Sequence, residues 1–437
     1  MKILMFGWEF PPHISGGLGT ACYGLSKGLS SLTDTDIVFV VPRAWGDEHP
    51  EGAELIGANQ VPVVREWINL AEKGKMTELI GISSELVPYI TPDDFWRLKS
   101  QKYESNTAFV EVTDSGTLEF SGDYGHNLYQ EIRKFALVAG VIAQEKEIDL
   151  VHAHDWMAFP AGIKASKITG KPLVVHVHST EFDRSGGNVN PTVYAIEREG
   201  MDFADKVVAV SNLTRQTIIE KYHIAPGKVV TVYNGIEPRK LARGTKFEKK
   251  HNEKTVTFLG RITYQKGPEY FIEAANLVLR KLKNVRFVMA GSGDLMDQMI
   301  EQCARLGISD KFYFTGFLEQ QDADYLLSIS DVCVMPSVSE PFGIVPLEAM
   351  QAGVPVIISK QSGVAEIVHY AVKIDFWDTY ALADTIHGLL QYPALSGVLR
   401  KSGKVEVDHL QWTHSAKQIR HLYNQVTESH KPQVSQA

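Results

Sequence analysis

Short apolar runs punctuate the chain, and between them apolar positions recur with helical spacing. In the first half the runs are Lys2–Trp8, Asp36–Val41, Asp149–His154, Pro172–His178, Lys206–Ser211 and Lys228–Tyr233. In the second half they are Thr255–Gly260, Val285–Ala290, Lys311–Thr315, Val332–Met335 and Pro355–Ser359. Each is apolar at consecutive rather than alternate positions, as strands covered on both faces of a parallel sheet require. Tyr270, Ile272, Ala275, Val278, Leu279 and Leu282 show the intervening helical period. Strand followed by helix, repeated, predicts βαβ units and doubly wound parallel sheets of the α/β class.

The stretch Glu237–Lys254 breaks the pattern. Apolar residues nearly vanish from it, basic residues gather in it, and a strand-like run follows at once. It reads as a surface linker between two domains, or else as a long loop inside one. Ala44–His126 is the least regular part of the first half and carries Trp45, Trp67, Trp96 and Tyr103. These rings either line a groove on the substrate side or simply fill core. Lys431–Ala437 reads as a disordered tail.

Composition narrows the picture. A chain of 437 residues exceeds one ordinary core, so two domains are expected. The formal charge of −8 gives no global reason to expect a nucleic-acid or anionic-membrane partner. Cys22, Cys303 and Cys333 are far apart, which favours small buried apolar residues over disulfides or zinc ligands. The opening apolar run is interrupted by Glu9, Pro11 and Pro12, a poor signal peptide and a good first strand. No segment reaches the roughly 20 apolar residues of a membrane helix. A reducing compartment, most simply the cytoplasm, is expected.

Ligands of open parallel sheets bind beyond the carboxyl ends of the strands. After the first run come Gly16, Gly17 and Gly19, where backbone N–H groups and a helix start favour a phosphate. A plain tight turn remains the alternative. His152 and His154, and then His176 and His178, end two later runs. Of the second pair His178, nearer the carboxyl end, is the better candidate for substrate contact. Gly260, Arg261, Lys266 and Gly267 follow the first run of the second half. An Arg fork and a Lys point charge in one loop are able to converge on a diphosphate, the alternative being two solvated cations. Ser337–Met350 carries Glu340 in a Pro/Gly loop and Glu348 in the helix after it. Such carboxylates accept hydrogen bonds from vicinal hydroxyls of a sugar or ribose, or else serve as a helix cap and a surface acid. Gln361–Glu366 offers a further glycine turn at a helix start.

Taken in order, these motifs resemble the retaining GT-B glycosyltransferases of family 4 and the neighbouring glycogen and starch synthases. The likeness rests on Gly16-Gly17-Leu18, Ala153-His154-Asp155-Trp156, Val210-Ser211 and Asn234-Gly235-Ile236. It continues through Gly260-Arg261, Gln265-Lys266-Gly267, Gly291-Ser292-Gly293, and Glu340-Pro341-Phe342-Gly343 with Glu348-Ala349-Met350. The resemblance implies two Rossmann-like domains facing each other across a cleft. Residues 1–238 would form the acceptor side, joined by a returning helix at about 413–430, and residues 239–412 would bind the nucleotide sugar. Arg261 and Lys266 would bind the donor diphosphate, Glu340 would contact the sugar, and the Phe342-Gly343 backbone would lie beside it. Glu348 would hold the ribose, Gly16 and Gly17 would lie against the phosphates with Gly291 and His178 also at the donor, and His154 would help position the reacting centre.

The implied reaction transfers glucose from ADP- or UDP-glucose to the non-reducing end of an α-1,4-glucan with retention and without a metal. The alternative is another NDP-sugar (mannose, galactose or N-acetylglucosamine) and a lipid, glycan or small acceptor. The implied partners are a nucleotide-sugar donor and a carbohydrate acceptor, with no nucleic acid and no membrane span. Synthases generally place a Lys two residues before the Gly-Gly pair, and here that residue is Ile14. A nicotinamide-dependent dehydrogenase would need three spaced glycines and an acid ending the second strand, yet that strand ends Val41-Pro42-Arg43. A non-catalytic sugar-binding protein of the exported kind would need a signal peptide.

Overall fold

A computed structural model of the chain describes residues 1–14, 16–63, 116–125, 127–238 and 253–430. Trp67, Trp96, Tyr103, His126, most of the linker and the tail expected at 431–437 lie outside the described residues.

The apolar runs become two parallel sheets. The first half contains β1 (Lys2–Phe6), α1 (Gly17–Ser30), β2 (Asp36–Val41), β3 (Glu54–Gly57), α2 (Leu128–Glu145), β4 (Leu150–His154) and α3 (Asp155–Thr169). It continues with β5 (Leu173–Val177), α4 (Glu181–Ser185), α5 (Pro191–Phe203), β6 (Lys206–Ala209), α6 (Asn212–Tyr222) and β7 (Val229–Thr231). Its seven strands lie in the order β3-β2-β1-β4-β5-β6-β7. The second half contains β8 (Lys254–Leu259), α7 (Pro268–Lys281), β9 (Val285–Ala290), α8 (Met296–Leu306), β10 (Phe312–Gly316), α9 (Gln320–Ile329) and β11 (Val332–Met335). Then come α10 (Ile344–Gln351), β12 (Val356–Ser359), β13 (Val372–Ile374), α11 (Thr379–Gln391), α12 (Pro393–Val407) and α13 (Trp412–His430). Its six strands run β10-β9-β8-β11-β12-β13.

The strand order reverses between β1 and β4 in one sheet and between β8 and β11 in the other. At such a switch point the flanking helices go to opposite faces and open a crevice above the strand ends. The segments leaving these four strands carry Gly16–Gly17, His154, Arg261–Lys266 and Ser337–Glu340. Topology alone therefore selects most of the candidate residues.

Several runs shorten at their carboxyl ends. Trp8, His178, Ser211 and Tyr233 lie beyond the ladders, so His178 sits in a loop. The edge strands β3 and β13 were not among the expected runs. They are short, and most of their residues are only partly buried, which erases the continuous apolar signal.

Helix α13 returns to the first half. Its Trp412, Ala416, Ile419, Tyr423 and Val426 join the core formed by α1 and one face of the first sheet. Trp412 is seated by glycines: a Cβ at Gly24 would stand 2.2 Å from its ring, and one at Gly235 2.3 Å from its backbone nitrogen. Ile236 N–H donates to Leu410 O at 2.8 Å and Ser415 Oγ to Tyr233 O at 2.6 Å. The outgoing and returning crossovers thus run together. Among the described residues no helix is long and apolar enough to cross a membrane.

Candidate active site

In the second half, close backbone approaches assemble the loops. Gly267 has φ +63°, and a Cβ there would meet Pro336 O at 2.2 Å. Val338 N–H donates to Gln265 O at 2.9 Å. The loop after β8 is so pressed onto the loop after β11, and Lys266 Nζ reaches Glu340 Oε2 at 2.5 Å. Both side chains are largely buried (15% and 8% exposed), so Lys266 is not a solvated cation. Ser337 Oγ donates to the same carboxylate oxygen at 3.4 Å. The backbone around Glu340 is zipped to the next loop: Glu340 N–H to Gln361 O at 3.0 Å, Gly363 N–H to Glu340 O at 2.8 Å, Val364 N–H to Phe342 O at 2.7 Å.

Gly343, at φ +99°, starts α10, with Glu340 Cγ only 3.1 Å from where its Cβ would be. Phe342 itself points into the core, 3% exposed, leaving its backbone at the loop. Gly291 has φ +136°, and a Cβ there would stand 1.9 Å from Gly260 O, so the turns after β8 and β9 nearly touch. Arg261 stands exposed on the β8 loop. Its charge partly offsets the rise that burial imposes on the Asp294 carboxyl. Glu348 occupies the second turn of α10, half-buried, and its charge adds to the burial that pushes the Cys333 thiol up to about 12.

In the first half four imidazoles stack together, His152 and His154 on β4, His176 on β5 and His178 in the loop just after it. His152 Nδ1 meets Tyr423 OH at 2.6 Å, and His154 Nδ1 meets His178 Nε2 at 3.0 Å. His152, His154 and His176 are buried, and desolvation holds all three well below the ordinary histidine value. Burial takes His178 down to about 3. Burial so favours the neutral form of all four rings, and the His154–His178 contact is a hydrogen bond between imidazoles.

Asp155 adopts φ +61°, a left-handed conformation that costs a non-glycine residue energy and marks a constrained position. Its Oδ1 accepts from His178 N–H at 2.6 Å and Ser179 N–H at 3.4 Å. Burial raises its carboxyl to about 7, against the pull of Arg184. Arg184 in turn bonds Glu181 Oε2 at 3.3 Å, Ser179 O at 3.1 Å and Glu197 Oε1. Gly16 and Gly17, at the start of α1, have open space where side chains would stand.

The two sets face one another. Ser339 Oγ, beside Glu340, donates to Asp183 Oδ1 at 2.6 Å. A Cβ at Gly186 would meet the Tyr264 ring at 2.5 Å. The structure thus joins Lys266 with Glu340, and His154 with His178. Arg261 and Glu348 stand on elements adjoining the Lys266–Glu340 pair.

Sequence reasoning gave no role to Asp155, Asp183 or the four-histidine stack. Asp183 had a local signal, the capping box in which Thr180 N–H and Oγ1 both donate to Asp183 Oδ2 at 2.7 Å. Cys22–His154–His178 and His152–His154–His176 each place ligand atoms within 4.8 Å of one another. The second set is stacked, with His152 and His176 only 8° from parallel, so its lone pairs do not converge on one centre.

Two doubly wound parallel sheets with apposed carboxyl edges define the GT-B class. A crystal structure of the Anabaena protein HepE in complex with UDP and glucose shares the fold, with a TM-score of 0.68 at 18% identity, covering 97% of this chain and 100% of that one. A Glycosyltransferase Family 4 model matches residues 114–240, and a Glycosyl transferases group 1 model matches 243–405. Over 387 residues the chain is 31% identical to an uncharacterized glycosyltransferase of Methanocaldococcus jannaschii, covering 85% of this chain and 84% of that protein. It is 25% identical over 410 residues to the glycogen synthase of Mycobacterium tuberculosis, covering 90% and 87%. The chain belongs to this glycosyltransferase family.

Proposed function

We propose that the protein is a retaining hexosyltransferase that moves glucose from ADP- or UDP-glucose to the non-reducing end of an α-1,4-glucan, as a glycogen synthase does. The observation that carries the proposal is the largely buried Lys266–Glu340 pair at the switch point of the second sheet, facing the first lobe through Ser339 and Asp183. We assign residues 239–412 to the donor, and residues 1–238 with 413–430 to the acceptor, and we place the protein in the cytoplasm.

In this reading Arg261 and Lys266 neutralise the charge that develops on the departing diphosphate, with the N–H groups at Gly16 and Gly17 adding fixed dipoles, while Gly291, whose own N–H donates to Gly316 O at 2.9 Å, lets the β9 turn lie close beside the donor. Glu340 orients the sugar hydroxyls beside the Phe342–Gly343 backbone, Glu348 holds the ribose, and neutral His154, steadied by His178, bonds the sugar near its anomeric carbon. The bond from C1 to the diphosphate oxygen breaks while the acceptor oxygen bonds C1 on the same face. The acceptor's proton passes to the leaving diphosphate, so no side chain is asked to be the base, and the scheme invokes no metal.

Ile14 supports a second reading, with another NDP-sugar and a lipid, glycan or small acceptor. Where synthases carry a cation, its Cγ2 fills the space that Gly19 leaves, 2.3 Å from where a Cβ there would be. One panel separates the readings: UDP- and ADP-glucose, GDP-mannose, UDP-galactose and UDP-N-acetylglucosamine, assayed for released nucleotide with and without glycogen. Glycogen-dependent release from a glucose donor supports the first reading, and release from another sugar the second. Undiminished turnover in Glu340→Gln would refute the donor-site assignment under either.

A further inference from the structure

Helix α6 is capped from two sides. Ser211 Oγ, in its own lobe, accepts from Thr214 N–H at 3.0 Å. The first two N–H groups, of Asn212 and Leu213, donate instead to Glu366 across the cleft, at 2.9 Å to Oε2 and 2.8 Å to Oε1. First-turn N–H groups have no partner within a helix, and a carboxylate is the acceptor the helix dipole favours. Tyr233 OH, in the outgoing crossover, donates to Glu366 Oε2 at 2.8 Å and accepts from Asn212 Nδ2 at 2.8 Å. Thr231 Oγ1 fixes the Asn212 amide at 2.9 Å.

Glu366 ends the turn Gly363–Glu366, whose first N–H groups hold the backbone of Glu340 and Phe342. Behind that turn the fit is close. A Cβ on Gly363 would stand 2.1 Å from Pro341 O and 2.5 Å from Ser211 Cβ, and Thr214 Oγ1 donates to Pro341 O at 3.4 Å. The loop bearing Glu340 is thus braced by one end of a rigid turn whose other end grips the opposite lobe.

We infer that Glu366 is a positioning residue: by capping α6 of the first lobe it sets the lobe-to-lobe arrangement and holds the Glu340 loop in register with the acceptor side. It touches no reacting atom. Its effect on turnover rests on the transferase reading above, whereas its effect on lobe arrangement does not.

The test uses the full chain as wild type, Glu366→Ala, Glu366→Gln and Tyr233→Phe, with UDP as the probe. Small-angle scattering of the unliganded proteins should give a larger radius of gyration for Glu366→Ala and a smaller change in the same direction for Tyr233→Phe. With the active donor, kcat should fall roughly three- to tenfold, the range of a few charge-assisted bonds near a surface. The Kd for UDP should change less than about twofold, because the side chains proposed to hold it, Arg261, Lys266 and Glu348, all belong to the second lobe and only the Gly16–Gly17 backbone to the first. Superimposable scattering in all variants overturns the proposal. So does weakened UDP binding without a change of shape, which would make Glu366 a local prop of the donor loop. Should Glu366→Ala fail to fold, the Gln and Phe variants give the same readouts. Altered scattering with no turnover on any donor upholds the brace and counts against the transferase reading alone.

Discussion

Lys266 and Glu340 neutralise each other in the free protein, yet the proposed reaction asks opposite things of them. The ammonium must meet a diphosphate that gains negative charge as it leaves, and the carboxylate a neutral sugar. Fixed charge in a water-poor site stabilises a developing anion because no reorganisation is needed during reaction, and removing one such group costs roughly 100- to 1000-fold. Lys266→Ala is therefore expected to lower kcat/KM by about that factor. Because it also strips Glu340 of its partner, the double variant with Glu340→Gln should lose less than the product of the two single losses, which a double-mutant cycle on released nucleotide measures.

Asp155 is the residue-scale counterpart in the first lobe. Its folded carboxyl, at about 7, lies above the unfolded value of 3.8, so the fold favours the protonated form, and that stability drains away as pH rises through 7. Asparagine keeps the acceptor for the His178 N–H, tolerates a left-handed backbone, and cannot ionise. Asp155→Asn should consequently gain on wild type in urea midpoint between pH 4 and pH 8. A constant difference across that range would mean that burial does not raise the folded carboxyl above its ordinary value.

Among the elements, the ones deep in the sheets were legible in the sequence because burial on both faces leaves consecutive apolar residues. Asp36–Val41, Val285–Ala290 and Val332–Met335 have the bounds of their runs, whereas β3 and β13, at sheet edges, have no such signature. The loops leaving the strands were legible for a different reason. Glycines and charges placed just past a buried run have few structural duties, so Lys266 and Glu340 stood out. Asp183, Asp155 and Glu366 did not, because their roles depend on partners brought together by the fold: Asp183 with Ser339, 156 residues away, and Glu366 with Asn212, 154 residues away. Periodicity carries no information about such pairs. The same close approaches make a sharp element-scale prediction. Gly291→Ala combines a φ of +136° with a Cβ 1.9 Å from Gly260 O, strain and overlap that cost on the order of 2–4 kcal/mol. The second lobe should melt roughly 5–10 °C lower by calorimetry. Gly397→Ala, inside α12 with open space around it, should leave the melting temperature unchanged or raise it.

Across the whole molecule the four stacked histidines make stability depend on acidity. Each has a folded value below its unfolded one, with burial as the leading cause. Below about pH 6.5 the unfolded chain binds a proton at each ring while the folded chain does not, so stability is full above that pH and drains away as pH falls. Asp155 and Glu197, both raised by burial, push the other way, because the fold holds their protons where the unfolded chain has released them. The four rings outnumber the two carboxyls, so between about pH 6.5 and 5 unfolding takes up protons on balance, and each proton of that excess is worth roughly 1.4 kcal/mol per pH unit. That slope counts beside the 5–15 kcal/mol that ordinarily separates folded from unfolded states. The urea midpoint should therefore fall over this interval, earlier than titration of exposed carboxylates alone would bring it down. His176→Gln removes one titrating ring, and its neighbours His152 and His178 remain, so its midpoint should fall less steeply by about one proton's worth. Parallel profiles for the variant and the wild type would mean that the stack is solvated and charges freely within the native protein. In that event His154 would carry a proton in a sizeable fraction of molecules near pH 6.5, and the permanently neutral hydrogen-bonding role given to it above would have to be abandoned.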